Sequence, residues 1–468
     1  MKTLRNAVIA IFAGLILMIS CKKSDIALPK SEANIDSIAS KYYEGYLKMY
    51  PLEATMQGDS RYNDLLSNNI SSEFISKEIE FYTDTQKKLK SIDYDDLSDE
   101  QKTVYDVLDY TLKDKIERYA YHPELLPFSQ FEGLPLDFPL LGSAEGNQPF
   151  KTTKDYDNWL KRIDAFVIWM NTAEKNFREG MKQNVVLPKK LVVKMIPQMH
   201  SEEIITEDFD KNIFYGPIKK MPKNFSAKDK EKYKILYQEA ISSKIIPAYQ
   251  KMGDFLEKEY LPKARNTDGI NALPNGKNIY EYYAKSWTTT NKTPEEINKI
   301  GLQQVAMLRA EMEKVKTQLG FKGSLEQFLT SLKTDKKAMP YKTPEEVIAA
   351  FNGILKKIEP KLPSMFTKFP KTPFEIRRTE KFREASASAE YKQGTPDGKR
   401  PGIFYTPIPD ATKYNVTNGF ESLFLHEAIP GHHYQVSLQQ ENTKIPKFMR
   451  FGWFGAYGEG WAHYTETL

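Results

Sequence analysis

One cysteine, Cys21, stands in a chain of 468 residues, so no disulfide can form within it. Charge of one sign is not in excess either: 67 Lys and Arg face 62 Asp and Glu, a formal net charge of +5. With that balance, no Gly-rich phosphate loop and no basic stripe interleaved with aromatics, nucleic acid is not an expected partner. Alternating strand patterns are few. Histidine is scarce as well, with 6 in the chain, and four of them fall at or after position 426. That crowding of a scarce, metal-binding residue type directs attention to the C-terminal stretch.

The N-terminus reads as a targeting segment. Lys2 and Arg5 precede an uncharged apolar run from Ala7 to Ile19, which is short for a membrane span and suits a signal-peptide core. The run ends in Ser20-Cys21-Lys22-Lys23, which resembles a bacterial lipoprotein cleavage site. Residues 1–20 are therefore expected to be a signal peptide. Residues 21–32 are expected to be a tether that starts at a lipidated Cys21. The expected location is the cell envelope, anchored to a membrane through that lipid and facing outside the cytoplasm.

Beyond the tether, 40% hydrophobic and 12% aromatic residues suit a folded chain, and explicit start signals point to helices. Ser98 with Gln101 forms a capping box ahead of Val104, Leu108, Leu112 and Ile116. Thr293-Pro294-Glu295-Glu296 places a cap, a first-turn proline and a returning glutamate in order. A broad apolar face follows, through Ile297, Ile300, Val305, Leu308, Met312, Val315 and Leu319. Thr343-Pro344-Glu345-Glu346 repeats the device before Val347 and Phe351. The Pro- and Gly-rich stretches Pro123 to Gly142, Gly216 to Pro222 and Gly394 to Pro409 read as loops or short edge strands, with Ile403-Phe404-Tyr405 the best strand candidate. The expected fold is mainly α, an elongated helical body with a small β element near a cleft, in one domain over 33–468.

The chemistry-bearing residues lie in Asn418 to His433. Asn418 and Glu421 can cap a helix that runs into His426-Glu427. A His-Glu pair on a helix is the first half of a zinc motif whose second His lies at i+4 and whose Glu is a general base. Here position i+4 is Pro430, and the next histidines are His432 and His433. In an unbroken helix His433 faces the same way as His426 but about 10 Å further along the axis, too far for one ion with bonds of about 2 Å. His432 points elsewhere. Pro430-Gly431 can break the helix and bring one of the two back; spacing alone does not choose between them. Downstream, Gly458 to Glu466 reads as a helix start, with Glu459 and Glu466 on one face. Glu459 would complete a set of two His and one Glu and leave a fourth position to water.

The HExxPGHH run followed by EGWAxYxE resembles the bacterial domain of unknown function 885 family, whose members look like relatives of zinc peptidases. EGWAxYxE is also similar to the NEGFAxYxE segment of aminopeptidase N-like enzymes, which implies Glu459 as a zinc ligand with Glu466 in support. The resemblance favours His432 over His433. It extends upstream through Tyr50-Pro51-Leu52-Glu53-Ala54-Thr55, Leu273 to Lys277, Trp287 to Thr290 and Arg400-Pro401-Gly402. Family members usually continue past the EGWA segment, so the resemblance implies a catalytic domain incomplete at its C-terminus.

The expected function is a zinc-dependent hydrolase, a peptidase acting on peptide substrates. Zinc is held by His426, His432 and Glu459, and Glu427 is the base. His433 and Tyr405 are candidate substrate contacts, the latter in an edge strand over Arg400 to Thr406 that pairs with an extended peptide. The rival expectation is a non-catalytic surface lipoprotein with a structural metal or a ligand-binding cleft. His122 and His200 stand alone and read as structural.

Overall fold

The computed structural model describes residues 34–468 apart from 386. The expected signal peptide, tether and Cys21 lie outside the described residues.

Helices dominate, and their starts follow the local chemistry. The Asn34 side chain accepts from the Asp36 N–H and opens α1 (Ile35–Met49). Ser71 caps α2 (Ser72–Leu89). The Ser98–Gln101 capping box opens α3 (Asp99–Arg118), which buries Val104, Leu108 and Leu112 as their spacing predicts. These three helices pack into one core, with Phe448 from near the C-terminus inserted among them. The Phe448 ring meets Tyr42 edge-on at 5.8 Å, which ties the N-terminal helices to the region that carries the histidines.

A second core forms around α5 (Thr153–Lys182), a helix of 30 residues. Against it lies α4 (Leu134–Gly142), where a loop was expected. Pro135 sits in its first turn, where a missing N–H costs nothing. Its apolar residues then find a partner. Phe138 stacks on Phe166 with centroids 4.0 Å apart and on Trp159 at 4.6 Å. Burial of these rings outweighs the loop bias of the proline and glycine residues. The same core includes α6 (Ile246–Phe255). Arg162 of α5 is buried and reaches toward the N-terminal region, bonding the Leu65 and Tyr62 carbonyls at 3.0 and 3.1 Å and Thr55 Oγ1 at 2.7 Å.

The Thr293 capping box opens α7 (Pro294–Gln318) as expected, but its apolar face is not buried. Val305, Leu308, Met312, Val315 and Leu319 are all exposed, Val305 by 62%. Periodicity specifies which residues share a face, while burial needs a second surface, and none of the described residues provides one.

The third core joins α8 (Pro344–Ile358) to a small sheet and to α9 (Phe420–Glu427). The sheet has β1 (Phe374–Arg378), β2 (Glu390–Lys392) and β3 (Gly402–Thr406) in the order β1-β3-β2. β3 pairs parallel with β1 and antiparallel with β2. Gly402–Thr406 is therefore the central strand and fully buried, not the edge strand its flanking Gly and Pro suggested. Its ladder groups are taken on both sides, so it offers nothing to an extended ligand. β2 is an edge strand instead. The last helices are α10 (His432–Glu441) and α11 (Gly455–Thr465).

Candidate metal centre

Two short helices and a break between them position the histidines. Gly419, in the left-handed region with φ 71°, is the N-cap of α9, and no side chain bonds there. This replaces the expected cap by Asn418, because a glycine at positive φ turns the chain into the helix without one. The helix ends at Glu427, and Ala428 leaves helical conformation at φ −107°, ψ −109°. The chain passes through a cis Ile429–Pro430 bond and re-enters helix at His432. Gly431 is required by a close approach. A Cβ there would lie 1.9 Å from the His426 carbonyl oxygen and 2.2 Å from that of Leu425. The break is held from α11: Trp461 Nε1 donates to the Pro430 carbonyl at 2.8 Å, and Thr465 Oγ1 donates to the Leu425 carbonyl at 2.9 Å.

The break brings His432 beside His426, with ring centroids 4.8 Å apart at 85°. Glu459 of α11 faces both. Its Oε2 lies 3.4 Å from His426 Nε2 and 3.6 Å from His432 Nε2. The three ligand-type atoms all lie within 4.8 Å of one another. His433 is turned away from this group. It is 1% exposed, its Nδ1 meets the Tyr391 hydroxyl at 3.1 Å, and its ring packs on Phe374.

Behind the cluster, His426 Nδ1 bonds Glu466 Oε1 at 2.9 Å, so a carboxylate fixes the ring and its tautomer and leaves Nε2 directed at Glu459. His463 lies on the exposed side, its Nδ1 3.4 Å from the same Glu466 oxygen. His432 packs edge-on against Trp453 at 5.5 Å. Trp453 also walls a cavity of about 380 Å³ that reaches Glu53 and Lys115 between the N-terminal helices and the C-terminal segment. Glu53 lines a second cavity, of about 640 Å³, with Tyr50, Arg118 and Asp137.

Glu427 is buried. Burial pushes its carboxyl up to about 7; His426 opposes this, and Glu459 and Glu390 add to it. Burial holds His432 down at about 4, with His426 contributing, and holds His433 near 4 as well. Both imidazoles are neutral at pH 7, the form that donates a lone pair to a metal.

The residues fit a zinc ion. In a tetrahedron with bonds of ~2.0–2.1 Å, ligand atoms stand roughly 3.3 Å apart, close to the 3.4 and 3.6 Å found here. Two neutral imidazoles and one carboxylate are a donor set that zinc accepts. Among the described residues one other group has such spacing, His200, Asp254 and Glu257. Asp254 there is already engaged by Lys258 at 2.9 Å, at the surface.

Of the residues expected at the site, the structure gathers His426, Glu427, His432 and Glu459. His433 stands behind them. Tyr405 is separate: it is buried in β3 with the Arg383 guanidinium over its ring at 5.4 Å. Tyr391 and Trp453 carry no local signal in the sequence, because their part in the site depends on which strand and loop fold against α9 and α10.

The family described as "bacterial protein of unknown function (DUF885)" matches residues 51–468. The chain matches no curated protein. Among solved structures it is similar to a protein from Colwellia psychrerythraea described as a "putative lipoprotein". That likeness has a TM-score of 0.82 at 21% identity, over 92% of this chain and 77% of the other. A "putative lipoprotein of unknown function" from Shewanella oneidensis aligns with a TM-score of 0.61 at 17% identity, over 93% of this chain and 77% of the other.

Proposed function

The chain belongs to the bacterial family of unknown function DUF885, and from its histidine cluster we propose that it is a zinc-dependent hydrolase that cleaves peptide amide bonds. The observation that carries this reading is one geometry: two imidazoles and the Glu459 carboxylate converge, and the buried Glu427 carboxylate stands next to them on α9. His426, His432 and Glu459 would hold the ion. When bound, zinc supplies a Lewis acid that polarises a carbonyl and makes water a better nucleophile near neutral pH.

The chain's own residues account for the rest. Glu427 takes the proton from the attacking water and passes it to the leaving amine, and its raised proton affinity suits both transfers. Glu466 orients His426. The edge strand β2 has one side free of sheet partners, where an extended peptide would add as a further strand. The open flank of the cluster favours turnover over a purely structural ion. The Glu459 side chain is 51% exposed, which leaves a water-accessible side to the three donors. We also infer a lipid anchor at Cys21, supported by the Ser20-Cys21 ending of the apolar run and by the description of both structural relatives as putative lipoproteins.

The test pairs metal analysis of the purified protein with digestion of a peptide library. One zinc per chain is expected, lost in His426→Ala. Glu427→Gln is expected to keep the zinc and lose peptide hydrolysis by about 10²-fold or more. A protein that binds zinc and cleaves no peptide would instead be the non-catalytic lipoprotein.

A further inference from the structure

Trp453 joins the candidate centre to a space that the ligand residues do not use. Its ring meets His432 edge-on at 5.5 Å. It also lies against Gly458, the residue before Glu459, where a Cβ would stand 2.1 Å from the ring. The ring is thus wedged against both elements that carry these ligands, and at 48% exposed it keeps an open face. The cavity of about 380 Å³ that it walls lies between α1, α3 and the C-terminal segment. That volume is on the scale of small-ligand sites, roughly 300–1,000 Å³.

Aromatic rings form much of the cavity wall. On the side of the C-terminal segment, Phe448 meets Tyr42 of α1 at 5.8 Å and Phe454 meets Tyr110 of α3 at 6.0 Å. About one helical turn further along α1 and α3 stand Tyr46 and Lys115, and Glu53 lines the same cavity. The Lys115 ammonium lies over the Tyr46 ring at 5.4 Å. Neither that ammonium nor the Glu53 carboxylate makes a hydrogen bond or an ion pair with any described residue. Burial pushes the Glu53 carboxyl up, with Lys115 opposing, and burial pushes the Lys115 ammonium down.

An aromatic wall selects a ring. The polar end then decides which ring, because it offers one uncommitted acceptor and one uncommitted donor. A basic side chain brings only donors and would meet Lys115. A carboxylate brings only acceptors and would meet Glu53. A benzyl group leaves both unpaired, and an indole N–H answers Glu53 alone. A phenol hydroxyl both donates and accepts, so it answers the two together.

We propose that this cavity is a specificity subsite for a tyrosine side chain next to the peptide bond to be cleaved, its ring among the aromatic walls and its hydroxyl between Glu53 and Lys115. The proposal rests on the reading of the protein as a peptidase. Its test has two arms. N-acetyl-tyrosinamide and N-acetyl-phenylalaninamide are titrated by calorimetry into the whole metal-free protein, a readout independent of turnover. Peptides that differ only in the residue beside the scissile bond are digested by the zinc-loaded protein.

The tyrosine compound is expected to bind, and the tyrosine peptide to be cleaved, at least about tenfold better than the phenylalanine one, the scale of a hydroxyl bonded to charged partners. Lys115→Met removes the donor and is expected to bring that ratio to within about threefold. Equal binding of the two amides by the wild-type protein overturns the proposal and needs no substitution to show it. A preference for basic or acidic residues overturns it too, as does a Lys115→Met protein that keeps the wild-type ratio. The two levels of the argument separate. Peptides cleaved without regard to the neighbouring residue remove the subsite and leave the hydrolase. Selective binding of the tyrosine amide with no peptide cleaved removes the peptidase reading and leaves the cavity as a phenol-binding site.

Discussion

Gly431→Ala changes one hydrogen to a methyl group, and the structure says where that methyl must go. It would stand 1.9 Å from the His426 carbonyl oxygen and 2.2 Å from the Leu425 oxygen, both backbone atoms with no rotamer to escape into. Real contacts of a Cβ with such atoms are essentially never under 3.0 Å, so the two backbone segments must part by roughly 1 Å. Those segments carry His426 at the end of α9 and His432 at the start of α10. A shift of about 1 Å is a large fraction of the ~2.0–2.1 Å bond from imidazole to zinc, and ligand placement tolerates about half of it. Zinc affinity is therefore expected to fall by at least 10- to 100-fold, the scale of losses when ligand orientation is disturbed. The strain reaches the third core through Phe424 and Ala428 and leaves the other two cores, which contain none of these residues, in place. The assay is competition for zinc against a chromophoric chelator, with circular dichroism to confirm that the helices remain. A Gly431→Ala protein with native zinc affinity would refute the claim that this close approach sets the histidine geometry.

Other outcomes follow from the same contacts. Glu466→Ala is expected to free the His426 ring and weaken zinc binding about tenfold or more without removing the site; unchanged affinity would mean that Glu466 orients nothing. Arg162→Ala removes a buried guanidinium and the donor to buried Thr55 Oγ1 and to the part-buried Leu65 and Tyr62 carbonyls, and should lower unfolding free energy by about 3 kcal/mol, read from urea denaturation midpoints. In the metal-free protein, His433 resists protonation down to about 4 while the unfolded chain takes up a proton near 6.5. Its contribution to stability is full above pH 6.5 and is lost as pH falls from there toward 4, by at most about 3 kcal/mol. His433→Gln should remove that part of the slope in melts taken across the range. Leu308→Gln on the exposed face of α7 should shift stability by less than about 0.5 kcal/mol; a larger loss would show that the face is covered.

Much of the helical framework is local in origin, and so it was legible in the residues. Ser98 with Gln101, and Thr293 with Glu296, satisfy orphan donors within four residues of chain, and helices begin there without help from elsewhere. The donor types of the candidate site, histidine and glutamate, are likewise written in the sequence, as is the Pro-Gly pair that interrupts the helix between His426 and His432.

What needed the fold is everything that depends on a second surface. The same helical pattern gives a buried face in α3 and an exposed one in α7, because periodicity decides which residues share a face and only a neighbour decides whether that face is covered. Gly402–Thr406 looks like an edge strand from its flanking residues and is central, since strand order is set by pairing between segments far apart in the chain. His432 and His433 are adjacent and chemically identical. One joins His426 and the other faces Tyr391 because Gly431 lets α10 start against the His426 and Leu425 carbonyls, with Trp461 and Thr465 of α11 holding the break from outside. The helix alone sets the two side chains about 100° apart; the backbone at Gly431 decides which of them meets His426, and the contacts that hold it come from residues about 30 positions further along.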